Sequence, residues 1–252
     1  MSKITIKTAQ EIAKLKEGGK VLATIIEGLT RAVMPGITTK QLEDLARKLM
    51  DDFGVKPSFL NFGDPPYPAA VCISLNEGVV HCVPSSRKIE EGDILGIDAG
   101  IWYEGLCTDM ARTVGVGKIS KQAEKLMAVA SKALEIAKSQ IKPGATIGDM
   151  GYAVQTYVEK NGFSVVRQLV GHGVGYKVHE APRIPNYGQK GEGEALKEGM
   201  VLALEPMVNV GEPEVEVKEN KWDIVTKDRK FSAHFEDTVV VTKTGCEVLT
   251  IK

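Results

Sequence analysis

Apolar positions along the 252-residue chain form a pattern that occurs twice. After Thr38, residues Leu42, Leu45, Ala46, Leu49, Met50 and Phe53 recur at the spacing of a helix with one buried face, and Gly54 offers a stop. After Thr146, Met150, Val154, Tyr157 and Val158 do the same, and Gly162 stands 108 positions beyond Gly54. Each helix is introduced by Pro-Gly-x-Thr, at Pro35-Gly36-Ile37-Thr38 and Pro143-Gly144-Ala145-Thr146. Thr38 with Gln41 fits a capping box, and Asp149, at the same spacing from Thr146, is a carboxylate suited to the positive end of a helix. A further helical stretch precedes each Pro-Gly, over residues 9–33 and 120–141. In the second, Leu126, Val129, Ala130, Ala133, Leu134, Ala137 and Ile141 form one stripe.

Strand-like segments follow each helix pair: 69–75, 93–102 and 107–116, then 164–170, 200–210 and 233–242. The order helix–helix–strands thus occurs twice. One Pro-Gly-x-Thr match means little, but agreement of Pro-Gly, cap, stripe and terminal Gly points to an internal duplication. Two similar lobes place a cleft at their junction. No linker or low-complexity stretch separates them, so a single domain over 1–252 is expected, with halves at about 8–116 and 117–252.

Carboxylates interrupt the apolar strands. Asp98 lies within Ile94–Ile101, and Asp109 follows Leu106-Cys107-Thr108. A hairpin turning on Tyr103-Glu104 sets Asp98 directly opposite Asp109, where like charges repel and burial adds a desolvation cost. A cation between them turns that cost into binding. Glu205, after Val201–Leu204, and Glu236, before Val239-Val240-Val241, repeat the theme, with Asn220-Lys221 midway along a longer connection. A lone strand carboxylate usually sits at an edge or pairs with Arg or Lys, and Arg112 and Lys243 are near enough to do so. Four of them, two per half, favour metal.

There are four histidines. His172 is flanked by glycines that leave its ring accessible. His179-Glu180 lacks the second His of HExxH, and no P-loop Lys-Ser/Thr accompanies the glycines. His81 follows a strand; taken singly, His81 and His179 read as structural. His234 shares a face with Glu236 in a regular strand and reads as a surface or supporting residue. Four carboxylates with one or two imidazoles suit Mn, Fe, Co or Zn. Two such ions in one cleft are typical of hydrolysis, where water is made nucleophilic and a carbonyl is polarised.

Formal net charge is −1 without a Lys/Arg block, which argues against nucleic-acid binding. The first residues lack the apolar region of a signal peptide, and no apolar run approaches the roughly 20 residues of a membrane span. Four cysteines (Cys72, Cys82, Cys107 and Cys246) form no CxxC pair, so a reducing, cytoplasmic compartment is expected.

Together these segments resemble the type I methionine aminopeptidases. The resemblance runs from about residue 8 onward and rests on Gly171–Pro182, on Gly199–Asn209, and on Trp222 with Thr226–Arg229 and Ser232–Thr238. It implies an α+β, pseudo-twofold pita-bread fold, an antiparallel sheet with helices on its outer face. It implies removal of the initiator methionine from nascent proteins and peptides with two divalent ions (Co, Mn, Fe or Zn), preferring a small second residue. Asp98, Asp109, His172, Glu205 and Glu236 are then the ligands, Asp109 and Glu236 bridging. Glu205 takes the proton of the attacking water, His179 holds the scissile carbonyl, and His81 contacts the peptide near the scissile amide. Tyr67, Cys72 and Trp222 fall in the methionine pocket. A monomer is expected, with at most a transient ribosome contact. Only 25 residues separate His179 from Glu205, too few for the type II insertion, and neither a zinc-finger extension nor a prolidase-like N-terminal domain is expected. Cys82, Thr108, Leu169 and Val178 depart from the family pattern, which bears on specificity and not on the ligand set.

Overall fold

The computed structural model describes residues 4–252; residues 1–3 of the expected 1–252 domain lie outside the described residues. Four helices form where the apolar stripes are: α1 (Ala9–Ala32), α2 (Thr39–Asp52), α3 (Lys121–Ser139) and α4 (Ile147–Lys160). Thr38 and Thr146 each make a full capping box, with Gln41 and with Asp149, and Thr8 does so with Glu11. Gly54 and Gly162 lie just past α2 and α4 with φ of 65° and 82°, a conformation that suits a residue without Cβ.

The repeat extends to the backbone. Thr38 bridges to Lys88 and Thr146 to Ala195. Gly36 N–H donates to Ile89 O at 2.8 Å, and Gly144 N–H to Leu196 O at 3.0 Å. One apolar core joins α1 and α2 to the strands of the first half. Another joins α3 and α4 mainly to those of the second.

Both cores rest on one nine-stranded antiparallel sheet. Five successive neighbours in it are the Asp98 strand (Ile94–Tyr103), the Asp109 strand (Leu106–Gly115), the Glu236 strand (Glu236–Val241), the Glu205 strand (Val201–Leu204, Glu205 following) and the His172 strand (Gly171–Gly173). Asp98 pairs with Ala111 and Ala111 with Glu236; Asp237 pairs with Leu204 and Ala203 with His172. With a side-chain period of two, all five residues project from one face. The helices cover the other.

Two sequence expectations are corrected. Asp98 is opposite Ala111, and Asp109 is opposite Gly100. The turn centres on Glu104-Gly105, both with positive φ (45° and 81°), as a two-residue hairpin matching strand twist requires. The shift of two keeps both carboxylates on one face as diagonal neighbours. The expected continuous strands also break. Segment 200–210 divides at Glu205-Pro206, 233–242 at Phe235, and of 164–170 only Ser164–Val165 is strand. Met207–Asn209 leaves the large sheet and pairs with Ser232–His234. Pro206 has no N–H to continue a ladder.

Candidate metal centre

The shared face gathers an acidic cluster. Asp98, Asp109, His172 and Glu236 are buried, and the Glu205 side chain is 13% exposed. Ligand atoms of Asp109, His172 and Glu236 lie within 4.8 Å of one another. His172 Nε2 is 3.4 Å from Glu205 Oε1. The Gly173 carbonyl is 2.9 Å from His172 Nδ1, a contact that suits an Nδ1–H donor and leaves the Nε2 lone pair facing the carboxylates.

Neutralisation by a basic side chain is excluded on geometry. Arg112 spends its guanidinium on Asp237 Oδ1 and the Glu236 carbonyl, both at 2.6 Å. Lys138 takes the other Asp237 oxygen at 2.8 Å. Among the described residues no Lys or Arg pairs with Asp98, Asp109, Glu205 or Glu236. Asp98 Oδ1 and Glu236 Oε1 are buried without a partner. Orphaned anionic oxygens cost several kcal/mol apiece unless a cation or proton reaches them. Burial, then the neighbouring carboxylates, raises Asp98, Glu205 and Glu236 well above the usual range, and burial lifts Asp109 to about 7. Burial moves the histidines the other way, His172 to about 3 and His81 to about 4. Neutral imidazole beside crowded carboxyls is a donor set that a divalent ion satisfies.

An apolar pocket opens onto the cluster, walled by Phe59, Phe62, Tyr67, Cys72, Val178 and Trp222. Tyr67 packs edge-on against Trp222 at 5.0 Å, and its hydroxyl is spent on the Val71 and Cys82 carbonyls. A broader groove shares His81, His172, His179 and Glu205 with the pocket and continues past Gln168, Leu169, Ala181 and Arg183. His179 stands where the two meet, its ring against Phe62 at 5.1 Å and His172 at 4.4 Å. Loss of surrounding water lowers its pKa, so it is neutral at neutral pH.

Residues 13–243 match the model of metallopeptidase family M24. The chain belongs to this family. It is 43% identical over 98% of its length to a methionine aminopeptidase of Clostridium perfringens, covering 99% of that protein. It is 42% identical to methionine aminopeptidase 1 of Bacillus subtilis, with the same coverage. A methionine aminopeptidase structure from Thermotoga maritima superposes with a TM-score of 0.96 at 43% identity, over 99% of this chain and all of that one. The prolidase of Pyrococcus furiosus superposes at 0.80 and 25% identity, the chain spanning 65% of it. The pita-bread fold is thereby shown, and M24 membership implies a divalent metal.

Within this M24 chain the structure brings all the expected site residues to one place. The five ligand-type residues form the cluster; His81 and His179 flank it, and Tyr67, Cys72 and Trp222 line the pocket. Cys82 and Cys107 are buried outside the pocket lining, with thiols pushed up by burial. For His234 the structure rules out the surface alternative and agrees with a supporting one. It is buried, with Nε2 at 3.7 Å from Glu236 Oε2 and 3.9 Å from Glu205 Oε2. Its two-residue spacing from Glu236 was the available signal, which burial turns into proximity. Phe59 and Phe62 lie in an irregular segment where periodicity carries no information about direction.

Proposed function

We infer that the chain is a metallo-exopeptidase that removes an N-terminal methionine from peptides and nascent proteins. The observation that carries this is the junction of a confined apolar pocket with an open groove, with the acidic cluster where they meet. One residue can enter the pocket while the rest of a peptide leaves along the groove. A thioether suits a pocket of aromatic and thiol surfaces such as Tyr67, Trp222 and Cys72.

Asp98, Asp109, His172, Glu205 and Glu236 would hold two divalent ions of Co, Mn, Fe or Zn, with Asp109 and Glu236 shared. Such ions, when bound, polarise a carbonyl and make water nucleophilic near neutral pH. Glu205, at the mouth of the groove, takes the proton of the attacking water and can return it to the departing amine. The neutral His179 ring can donate an N–H to the scissile carbonyl as negative charge grows on its oxygen. His81, which lines both pocket and groove, meets the peptide near the scissile amide. The free amine of the substrate faces Asp98, beside the methionine pocket. A preference for a small second residue would be set along the groove that Leu169 lines.

Both halves, about 8–116 and 117–252, supply ligands, which supports one catalytic domain. The ligand set is complete within one chain, so a monomer would suffice for catalysis. No helix among the described residues is long and apolar enough to cross a membrane. A nascent-chain substrate favours the cytoplasm and a transient contact with the ribosome. The test is metal stoichiometry by mass spectrometry. Two ions per chain are expected, and Asp109→Ala or Glu236→Ala should lose both metal and turnover. Full activity in both variants would contradict the reading.

A further inference from the structure

The segment before α1 precedes the family match at residues 13–243, yet it reaches the loop that carries His179. The Lys7 side chain is 0% exposed, and its Nζ is 2.7 Å from Glu180 Oε2. Thr5 donates its hydroxyl to the same Glu180 oxygen and accepts from Lys7. The other Glu180 oxygen accepts the backbone N–H groups of Tyr176 and Lys177, closing the 176–180 loop on itself. The Lys7 ammonium lies 4.4 Å from the centre of the Tyr176 ring, whose hydroxyl donates to Glu11 of α1 at 2.7 Å. Lys7 N–H donates to Gly199 O at 2.8 Å, anchoring the segment beside the Glu205 strand. Burial alone would raise Glu180, but hydrogen bonds from Lys7 and Thr5 outweigh it and hold the carboxyl below the usual range.

His179 depends on this clasp more than its neighbours do. Among the described residues no hydrogen bond holds its ring, which only packs on Phe62 and His172. An imidazole held in this way takes its direction from its backbone, and the next residue along that backbone is Glu180.

We propose that Lys7 and Thr5 are positioning residues that act through Glu180 to aim His179 at the scissile carbonyl. This rests on the role given to His179 above. A segment more than 160 positions away in sequence therefore belongs to the catalytic apparatus without touching substrate.

The test is a double-mutant cycle on the metal-loaded full chain, with Lys7→Met, His179→Ala and both together, and Lys7→Arg as rescue. Turnover of a Met-Ala-Ser peptide is read as kcat and KM, beside bound metal per chain. Lys7→Met should lower kcat about tenfold with KM and metal content little changed, since small misplacements of a catalytic group are costly. In the His179→Ala background the same change should add no further loss, because residues acting as a unit are not additive. Lys7→Arg should recover most of the activity. If Lys7→Met does not fold, Thr5→Val enters the cycle with a smaller loss of about threefold, since it keeps the Lys7–Glu180 ion pair and removes only the two hydrogen bonds of the Thr5 hydroxyl. Equal losses in both backgrounds would overturn the proposal while leaving the role of His179 intact. If His179→Ala turns over normally, the role of His179 fails and the proposal with it.

Discussion

Burial raises the carboxyl of Asp109 to about 7 and those of Asp98, Glu205 and Glu236 well above the usual carboxylate range, so a bound cation competes with protons for the site. The histidines do not contribute to this linkage, because His172 and His234 are held neutral down to about 3. Folded-state carboxyl pKa values above their ordinary ones mean that acid favours the protonated, metal-free site. Apparent metal affinity should therefore rise as pH rises through 7, by up to about tenfold per pH unit for each proton released. Isothermal titration in buffers of different ionisation enthalpy checks this, and a pH-independent affinity would contradict it. At this scale the sequence was informative because four acids stood in apolar strands. It could not show that Arg112 is spent on Asp237, which leaves those acids without a basic partner, nor that His234 is buried against them.

Helices were legible to within a residue or two because each carries an apolar stripe, and α2 and α4 have a Thr cap and a Gly stop as well. Thr38→Ala and Thr146→Ala should each cost about 1 kcal/mol in urea unfolding, and the pair should add, since the caps share no partner. Strands were less legible. The Asp98–Asp109 register depended on a turn whose two positive-φ residues are one position later than expected, Glu104 being an unobvious choice for that conformation. The breaks at Glu205-Pro206 and Phe235 follow from the chain leaving one sheet for another, which alternation of apolar residues does not reveal. The glycine before His172 has a tighter role than access to the ring. A Cβ on Gly171 would meet Ala203 O at 2.6 Å, so Gly171→Ala should force the His172 and Glu205 strands apart. Thermal unfolding and bound-metal analysis should both show a loss, of about 1–3 kcal/mol in stability.

At the scale of the molecule, the duplicated pattern reappears as two helix pairs and two apolar cores on a shared sheet. The five ligand-type residues come from five neighbouring strands drawn from both halves. Burial of so many carboxyls at the join is costly for folding alone, and that cost is what makes the join a metal site. Pocket and groove then decide which peptides reach it. The most direct measurement is mass spectrometry of Met-Ala-Ser and Ala-Pro peptides incubated with metal-free protein reloaded separately with Mn, Fe, Co and Zn. Metal-dependent release of Met, with the Ala-Pro peptide left intact, is the expected result. Cleavage of the Ala-Pro peptide instead, or of neither peptide with any of the four metals, would contradict methionine removal as the function of this chain.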